Sequence, residues 1–248
     1  MTEAIIKFES VSKSFDGKNI LQDISFEVFP GETFCIVGGS GTGKSVALKL
    51  LMGLMPVDEG KIFFLGQEVT ALNERELNKM RIKIGMVFQS AALFDSMCVY
   101  DNVAYPIREL GGYSEDDIAT MVCEKLAVVG LSDTASLFPA DLSGGMRKRV
   151  GLARAIAANP EVIVYDEPTT GLDPANVRRV DERVRLLQEK YKVTSIVVSH
   201  DMASIYRVAD RVALLHERTF GFIGTLSEFK KATHPLVKQF IHGEIGAE

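Results

Sequence analysis

The sequence predicts an α/β fold: a core of buried parallel strands joined by helices, preceded by an antiparallel β subdomain and interrupted by a helical subdomain. Three observations support this prediction. Short apolar runs alternate with segments of helical period, the first thirty residues alternate apolar and polar side chains, and residues 91–159 contain no buried-strand run. Buried parallel strands with helical crossovers give the first pattern. The apolar runs are FCIVG, IGMVF, VIVYD, SIVVS and VALLH.

The N-terminal segment has the period of two that is typical of half-buried strands. Ile24, Phe26 and Val28 fall on one face, and the residues between them are polar. The Pro30-Gly31 pair then predicts a turn that ends the strand. We therefore expect antiparallel strands before the parallel core begins.

The segment 174–190 has the helical period, with Val177, Val180, Val184 and Leu187 on its inward face. Further helices are predicted around 99–110, 114–129 and 144–158, and one or two short amphipathic helices at the end of the chain. We expect a single domain over 1–248. Its parts are an α/β core with its β subdomain (1–89 and 159–225), a helical subdomain (90–158) and a C-terminal helical tail (226–248).

The composition is that of a folded protein and argues against several classes. Of 248 residues, 46% are hydrophobic and 25% are charged, so the chain can bury a sizeable core. The net charge of −5 argues against nucleic acid as a partner. The three cysteines form no CxxC pair, which fits a reducing compartment. Charged residues interrupt the N-terminal segment where a signal peptide would need an apolar core. No run approaches the roughly 20 apolar residues of a membrane span, so we expect a partner to supply any membrane contact.

Residues 38–45, GGSGTGKS, match the phosphate-binding pattern G-x-x-x-x-G-K-[ST]. Glycines permit positive φ angles and leave backbone N–H groups free to converge on phosphate oxygens, and a helix expected from Ser45 adds its dipole. Lys44 is expected against the β and γ phosphates, and the Ser45 hydroxyl on Mg²⁺. A glycine-rich turn without a ligand is the alternative, but chance matches occur with odds on the order of one in a hundred. The loop consists of Gly38, Gly39, Ser40, Gly41, Thr42, Gly43, Lys44 and Ser45.

A carboxylate pair follows the run VIVYD. Asp166 is expected at the carboxyl end of a buried strand, where ligands of open α/β sheets lie, and there it would bind Mg²⁺. Glu167 is placed to orient or deprotonate the attacking water. An acidic pair after a strand is more often a solvated turn, but its combination with the phosphate-binding loop favours the catalytic interpretation.

Three further residues are candidates for the same site. His200 follows the run SIVVS, and this position favours a hydrogen bond to the γ phosphate over an ordinary strand-end role. Gln89 follows the run before the helical insertion, so its amide is a candidate Mg²⁺ ligand that would link the γ phosphate to that insertion. Phe15 is a candidate adenine-stacking ring, and a core phenylalanine is the alternative.

A second element suited to anions lies about a hundred residues after the first. Ser143, Gly144 and Gly145 open a predicted helix whose first turn has free N–H groups and a positive dipole end. A simple N-cap with glycines for the turn is the alternative, and it would be preferred in most sequences. Because the chain has one complete phosphate-binding loop, we predict that this element closes on the ATP of another subunit.

The chain resembles the nucleotide-binding subunits of ABC transporters over nearly its whole length. LSGGM resembles the signature LSGGQ, and five other motifs follow the family's order: GGSGTGKS, the glutamine loop, VIVYDEP, GLDP and the switch histidine. The resemblance implies a P-loop NTPase with a RecA-like core, and two copies that sandwich two ATPs, each between one P-loop and the opposite signature. It also implies that Ser143 and Gly145 reach the partner's γ phosphate, that Asp173 helps couple the two sites, and that Phe15 stacks on adenine.

Two positions depart from the family's commonest pattern. Met146 replaces the glutamine of the signature, and Val46, the next residue of the nucleotide-binding loop, stands where many members have a second threonine. Because Ser143, Gly144 and Gly145 are intact, we expect hydrolysis to survive.

Longer stretches resemble the ATPases of Mla-type, Mce-linked lipid transporters: GGSGTGKSV, FQSAALFDSMCVYDNVAYPIRE and LSGGMRKRVGLARAIA. The resemblance implies phospholipid transport between the membranes of the cell envelope. The implied partners are an integral membrane permease, an Mce-domain lipid-binding protein and, in some systems, a STAS-domain subunit. The implied location is peripheral, on the cytoplasmic side of the inner membrane. Met146 in the signature and the pair Asp95-Ser96, where many amino-acid importers have Pro-His, favour the lipid interpretation.

Three other functions compete with this interpretation. An importer ATPase for amino acids or another small solute belongs to the same family and is the main alternative. A soluble ABC protein acting on DNA or ribosomes typically has a second cassette, a long coiled coil or a basic linker, and none fits 248 residues at a net charge of −5. A P-loop small-molecule kinase leaves LSGGM and the switch histidine without a role.

The start of the helical insertion is rich in apolar residues. It lies directly after Gln89, where the family docks the coupling helix of its permease. An ordinary packing surface is the alternative, and it must hold for part of the segment. We predict a groove partly lined by Leu93, Phe94 and Met97 that binds the membrane partner.

Overall fold

The computed structural model describes residues 3–231 and 234–242, which form two sheets surrounded by helices. The strands are β1 (Ile6–Phe15), β2 (Lys18–Val28), β3 (Thr33–Val37), β4 (Glu59–Phe64), β5 (Gln67–Glu68), β6 (Ile84–Val87), β7 (Val162–Asp166), β8 (Thr194–Ser199), β9 (Arg211–His216) and β10 (Thr219–Thr225). The helices are α1 (Lys44–Leu51), α2 (Glu74–Arg81), α3 (Val99–Leu110), α4 (Glu115–Val128), α5 (Gly144–Ala155), α6 (Pro174–Tyr191), α7 (Met202–Val208), α8 (Leu226–Lys231) and α9 (Pro235–Ile241).

The first sheet is antiparallel, with the strand order β2-β1-β4-β5. The predicted alternation is confirmed, since Ile24, Phe26 and Val28 are buried in β2 while the residues between them are exposed or half-buried. Strand β2 ends at Val28, directly before the turn at Pro30-Gly31. This sheet packs over α1 and one face of the second sheet.

The second sheet has the order β10-β9-β3-β8-β7-β6 and is parallel except for β10, which pairs antiparallel with β9. All five apolar runs of the sequence form its parallel strands. Alternate residues enter two different cores: Ile163 and Tyr165 face one, and Val162 and Val164 face the other. Burial on both faces explains why these strands are continuously apolar.

The helical insertion has the predicted helices, and the described chain between β6 and β7 contains no strand. Helix α4 begins with a capping box in which Ser114 and Asp117 bond each other's backbone N–H. Helix α5 ends at Ala155, three residues before the predicted limit. In α6, Val177, Val180, Val184 and Leu187 are buried, as predicted.

The end of the chain contains α8 and α9, which agree with the predicted short helices. Residues 232–233 and 243–248 of the predicted tail lie outside the described residues. The division into core, helical subdomain and tail at the stated residues stays a prediction. Among helices in the described ranges, none has both the length and the apolar character needed to cross a membrane.

Candidate active site

The carboxyl ends of β3, β6, β7 and β8 meet at one edge of the sheet, because parallel neighbours all end on the same side. A pocket of about 630 Å³ opens there. The structure therefore brings together ten of the residues predicted for the site, with Ile20 and Thr170 as additions. The lining residues are Phe15, Ile20, Ser40, Gly41, Gly43, Lys44, Ser45, Val46, Gln89, Glu167, Thr170 and His200.

The phosphate-binding loop turns from β3 into α1, which begins at Lys44, one residue before the predicted start. Gly43 is the N-cap and has a φ of 103°, a left-handed conformation that favours glycine. A side chain there would also meet Ile20, since a Cβ atom on Gly43 would lie 2.9 Å from Ile20 Cγ2. Gly41 has a φ of 73° and faces open space. The loop thus turns tightly against β2 while its pocket side stays open.

Lys44 is a cation held at the base of this pocket. Its side chain is 7% exposed, and its Nζ donates to the carbonyl oxygens of Gly38 at 2.9 Å and Gly39 at 2.7 Å. Thr42 Oγ1 donates to the same Gly39 carbonyl at 2.9 Å. Burial lowers the pKa of Lys44, and the negative charges of Glu167 and Asp166 partly oppose this effect. A desolvated cation in such a site favours an anionic ligand.

The residues expected to hold Mg²⁺ fit that ion by the chemistry of their donors. Ser45 Oγ donates to Asp166 Oδ1 at 2.7 Å, so a hydroxyl and a carboxylate meet at the start of α1 and the end of β7. Mg²⁺ prefers oxygen ligands and is usually bound by one or two carboxylates together with substrate phosphates. Within residues 3–231 and 234–242, no cluster of three or more His, Cys, Asp or Glu side chains could hold a metal by itself. A site completed by a substrate is consistent with both findings.

Glu167 is held by contacts on several sides. Its φ of 50° lies in the left-handed region, and its backbone N–H donates to Val198 on β8 at 2.9 Å. The carboxylate is 12% exposed and accepts from Thr170 Oγ1 at 3.1 Å. His200 Nδ1 lies 2.9 Å from Glu167 Oε2, and Lys44 Nζ lies 3.9 Å from Glu167 Oε1. The predicted contact of His200 with a γ phosphate stays a prediction.

The loop after β6 is bound to α5 by two cations. Lys148, which is buried, donates to the backbone oxygen of Gln89, and Arg154 donates to the carbonyls of Ala91 at 2.9 Å and Ala92 at 2.7 Å. Ala91 and Ala92 both have positive φ angles, 62° and 48°. Such angles cost a non-glycine residue of order 1 kcal/mol, so the contacts from α5 must hold the loop in place.

Phe15 lies at the end of β1 and is 42% exposed on the pocket wall. Lys13 Nζ lies 5.4 Å from its ring centroid. The alternative of a core phenylalanine is therefore wrong, and an exposed ring face is available for stacking.

The second predicted anion element lies outside this pocket. Ser143 is the N-cap of α5, and its side chain accepts from Met146 N at 3.3 Å. Gly144 is exposed, whereas any side chain on Gly145 would collide with the amide of Asn176. Asn176 in turn donates to Asp173, which caps α6. Hydrogen bonds, first that of Asn176, lower the pKa of Asp173. The Ser-Gly-Gly turn and Asp173 thus form one surface, separate from Lys44 and Glu167.

A groove of about 740 Å³ lies beside the loop after β6. Phe94 lines it, as predicted, and its ring centroid is 5.2 Å from that of Tyr105. The prediction is wrong for Leu93 and Met97: Leu93 packs against the core, and Met97 is absent from the lining. Buried Asn102 sets this arrangement, because its amide bonds the backbone of Phe94 and Met97. The other lining residues include Ile82, Met86, Phe88, Ala92, Pro106, Leu110 and Arg154.

Several residues of the site were not predicted. Ile20 and Thr170 line the pocket, Lys148 and Arg154 hold the Gln89 loop, and Asn176 supports Gly145. The cations on α5 look like an ordinary solvated helix face in the sequence. Thr170 could have been predicted from the sequence. It follows Glu167 by three residues, and this spacing is typical of a local side-chain hydrogen bond.

Comparison with known proteins places this geometry in a family. The family model described as "ABC transporter" matches residues 21–170. The chain is 38% identical to the intermembrane phospholipid transport ATP-binding protein MlaF of Haemophilus influenzae, over 98% of this chain and 92% of that protein. It is also 38% identical to the methionine import ATP-binding protein MetN of Carboxydothermus hydrogenoformans, over 98% of this chain and 73% of that protein.

A solved structure has the same fold. The dimeric post-hydrolysis structure of the ATP-binding cassette MJ0796, bound to ADP and Pi, superposes with a TM-score of 0.82 at 29% identity, covering 89% of this chain and 98% of that one. The α/β P-loop fold with its antiparallel β subdomain is thereby confirmed. The chain belongs to the ABC transporter family, as an ATP-binding subunit that hydrolyses ATP.

Proposed function

We propose that two copies of the chain hydrolyse ATP at shared sites, each formed by the P-loop of one copy and the Ser143-Gly144-Gly145 turn of the other. The observation that supports this most is the separation of the two elements within one chain. The nucleotide pocket is lined by P-loop residues and contains none of the Ser-Gly-Gly turn. The turn has an exposed N-cap and an exposed first glycine, available to a second copy. The similarity to a dimeric cassette agrees with this arrangement.

Within the pocket, the roles follow from the contacts. The P-loop backbone of residues 38–46 and Lys44 would bind the phosphates, and Phe15 would stack on the adenine. Ser45, Asp166 and Gln89 would hold Mg²⁺, which supplies charge neutralisation at the β and γ phosphates. Asp173, on the surface of the Ser-Gly-Gly turn, would help couple the two sites of the dimer.

Glu167 would accept the proton of the attacking water. A general base must be oriented before the reaction. The hydrogen bonds from Thr170 and His200 orient the Glu167 carboxylate, which supports this role. His200 is 59% exposed and is free to turn from Glu167 toward a bound γ phosphate. Thr170 then remains as the fixed partner of the carboxylate.

We further propose that the transported substrate is a phospholipid. The long stretches shared with Mla-type ATPases and the similarity to MlaF support this substrate class. The equal identity to MetN supports methionine or another small solute as the second candidate. The lipid proposal includes a permease, an Mce-domain protein and, in some systems, a STAS-domain subunit as partners, at the cytoplasmic side of the inner membrane.

The two candidates are separated by reconstitution. The chain and its permease, in vesicles of phosphatidylethanolamine and phosphatidylglycerol, would transfer labelled phospholipid to acceptor vesicles when ATP is added. The Glu167→Gln variant is the control for passive exchange. Methionine uptake driven by ATP, without phospholipid transfer, would contradict the lipid proposal and leave the ATPase mechanism standing.

A further inference from the structure

Two arginines converge just after the end of α4, away from the nucleotide pocket, and a third lies near them. Arg149 projects from α5, and Arg179 and Arg183 lie one turn apart on α6. Arg149 and Arg183 meet at Gly130, which has a φ of 69°, and Arg179 is close enough for its charge to act on Arg149. A Cβ atom there would lie 3.3 Å from Nη2 of Arg183 and 3.7 Å from Nη1 of Arg149. Two guanidinium groups from different helices therefore face the same small space.

These cations have no acidic partner among the described residues. Within residues 3–231 and 234–242, no carboxylate oxygen lies within 4.0 Å of a guanidinium nitrogen of these three arginines. The Nε atoms of Arg149 and Arg183 are buried and make no hydrogen bond. Burial, followed by the charges of Arg179 and Arg183, lowers the pKa of Arg149. Positive charge is thus concentrated here, it is partly desolvated at Arg149 and Arg183, and no described carboxylate balances it.

Capping of α4 explains only part of this arrangement. Arg149 Nη1 donates to the carbonyls of Val129 at 3.1 Å and Gly130 at 3.0 Å. A cation in this position stabilises the helix, because it bonds the free carbonyls and lies at the negative end of the helix dipole. One guanidinium is enough for that role. Arg179 and Arg183 add a like-charge pair at i and i+4, which destabilises a helix, and no hydrogen bond by either side chain is found in the described chain. Capping of α4 therefore leaves the positions of Arg179 and Arg183 unexplained.

We propose that Arg149, Arg179 and Arg183 bind a phosphate-class oxyanion, a tetrahedral dianion with oxygens directed to several donors. Guanidinium forks bind phosphate oxygens through paired N–H donors, and forks from two helices can reach different oxygens of one tetrahedral anion. None of the three residues lines the nucleotide pocket. The site is therefore additional to the ATP site and does not depend on the proposed transport function.

Calorimetric titration with inorganic phosphate tests the proposal. The full chain is first saturated with a non-hydrolysable ATP analogue, so that the nucleotide pocket cannot take phosphate. The wild type should then bind one phosphate per chain, and Arg179→Gln and Arg183→Gln should each weaken binding about tenfold, the loss of one charge-assisted contact. Arg178→Gln, an exposed neighbour on α6, removes the same charge and should leave the affinity unchanged.

A second titration with O-phosphoserine distinguishes two sources of the phosphate group. Tighter binding of O-phosphoserine than of inorganic phosphate identifies a phosphate monoester as the ligand, and the reverse order identifies free phosphate. Arg179 is exposed, so its variant keeps the fold and gives a clear result even if Arg183→Gln is unstable. Absence of phosphate binding by the wild type would overturn the proposal. Equal weakening by Arg178→Gln and Arg179→Gln would also overturn it, because the effect would then be general attraction to positive charge.

Discussion

Glu167 has a strained backbone conformation, and its carboxylate lies close to the side chains of three other residues. A φ of 50° costs a non-glycine residue of order 1 kcal/mol, and the bond from its N–H to Val198 helps to maintain that conformation. The strained turn directs the side chain from the end of β7 into the pocket. Thr170, His200 and Lys44 then limit its rotation.

Glu167→Gln should bind ATP with unchanged affinity and lose turnover by about 100-fold or more, because the amide keeps the size of the side chain and one acceptor oxygen but cannot accept the proton. Steady-state ATPase rates and nucleotide titration measure the two effects separately. Lys44→Ala is the comparison variant. It removes the buried cation and should weaken ATP binding itself, which Glu167→Gln should not do. A Glu167→Gln monomer that hydrolyses ATP at the normal rate would contradict both the assignment of the base and the need for a dimer.

The sequence identified most residues of the site because each chemical motif directly follows a strand. The positions of Lys44, Asp166, Glu167 and His200 are set by chain neighbours, so local pattern and strand order suffice. Asn176 could not be predicted in this way. Its contact with Gly145 depends on how α5 and α6 pack, and local sequence pattern does not specify that packing.

At the scale of elements, α5 connects the nucleotide pocket to the groove. Its N-terminus holds the Ser-Gly-Gly turn, Lys148 bonds the Gln89 loop, and Arg154 bonds Ala91 and Ala92 beside Phe94. A displacement of Gln89 would therefore move α5. The sequence predicted this helix but not the function of its cations, since the carbonyls that they bond are about 60 residues away along the chain.

Arg154→Met should lower the free energy of unfolding by about 2 kcal/mol, because the carbonyls of Ala91 and Ala92 lose a charged donor. Arg154→Lys keeps the charge but not the paired donors, so its loss should be smaller. Urea denaturation of the three proteins measures the order. Equal stability of wild type and Arg154→Met would show that the strained loop does not need this contact.

Asp58 joins the loop before β4 to the end of β1, next to Phe15. It accepts from Lys13 Nζ at 2.6 Å and from the N–H and hydroxyl of Ser14 at 2.6 and 2.7 Å. These bonds, first that of Lys13, lower the pKa of Asp58 to about 2. The folded state therefore favours the charged carboxylate, and its stabilisation is complete above the ordinary aspartate pKa near 4 and decreases as the pH falls toward 2.

Asp58→Asn should consequently lose less stability than the wild type when the pH is lowered from about 5 to about 3. Urea midpoints at the two pH values give the comparison. Asp16→Asn is the control, since Asp16 makes no side-chain hydrogen bond or ion pair in the described part of the chain. Equal acid sensitivity of wild type and Asp58→Asn would remove the basis for this link between β1 and β4.

At the scale of the whole molecule, the chain presents three surfaces to which we assign or propose a function: the nucleotide pocket, the Ser-Gly-Gly surface and the groove containing Phe94. Motif order predicted the first two. The groove was predicted only in part, because its walls come from α2, β6, α3 and α5 and its lining depends on how these pack. Leu93 turns inward while Phe94 turns outward, and Asn102 sets that choice.

Phe94→Asp should prevent stable assembly with the permease, because it places a charge among apolar groove residues at a proposed interface. ATP binding by the isolated subunit should be unchanged. Tyr113→Asp is the matched control, an equally exposed aromatic outside the groove. Co-purification with the permease measures assembly, and normal recovery with Phe94→Asp would exclude the groove as the docking site.

The shared ATP site is tested most directly by a crystal structure of the Glu167→Gln variant with ATP and Mg²⁺. We predict a two-fold dimer in which Lys44 of one copy and Ser143 of the other contact the same triphosphate. A structure in which these residues face away from each other at every contact between copies would contradict the proposed mechanism.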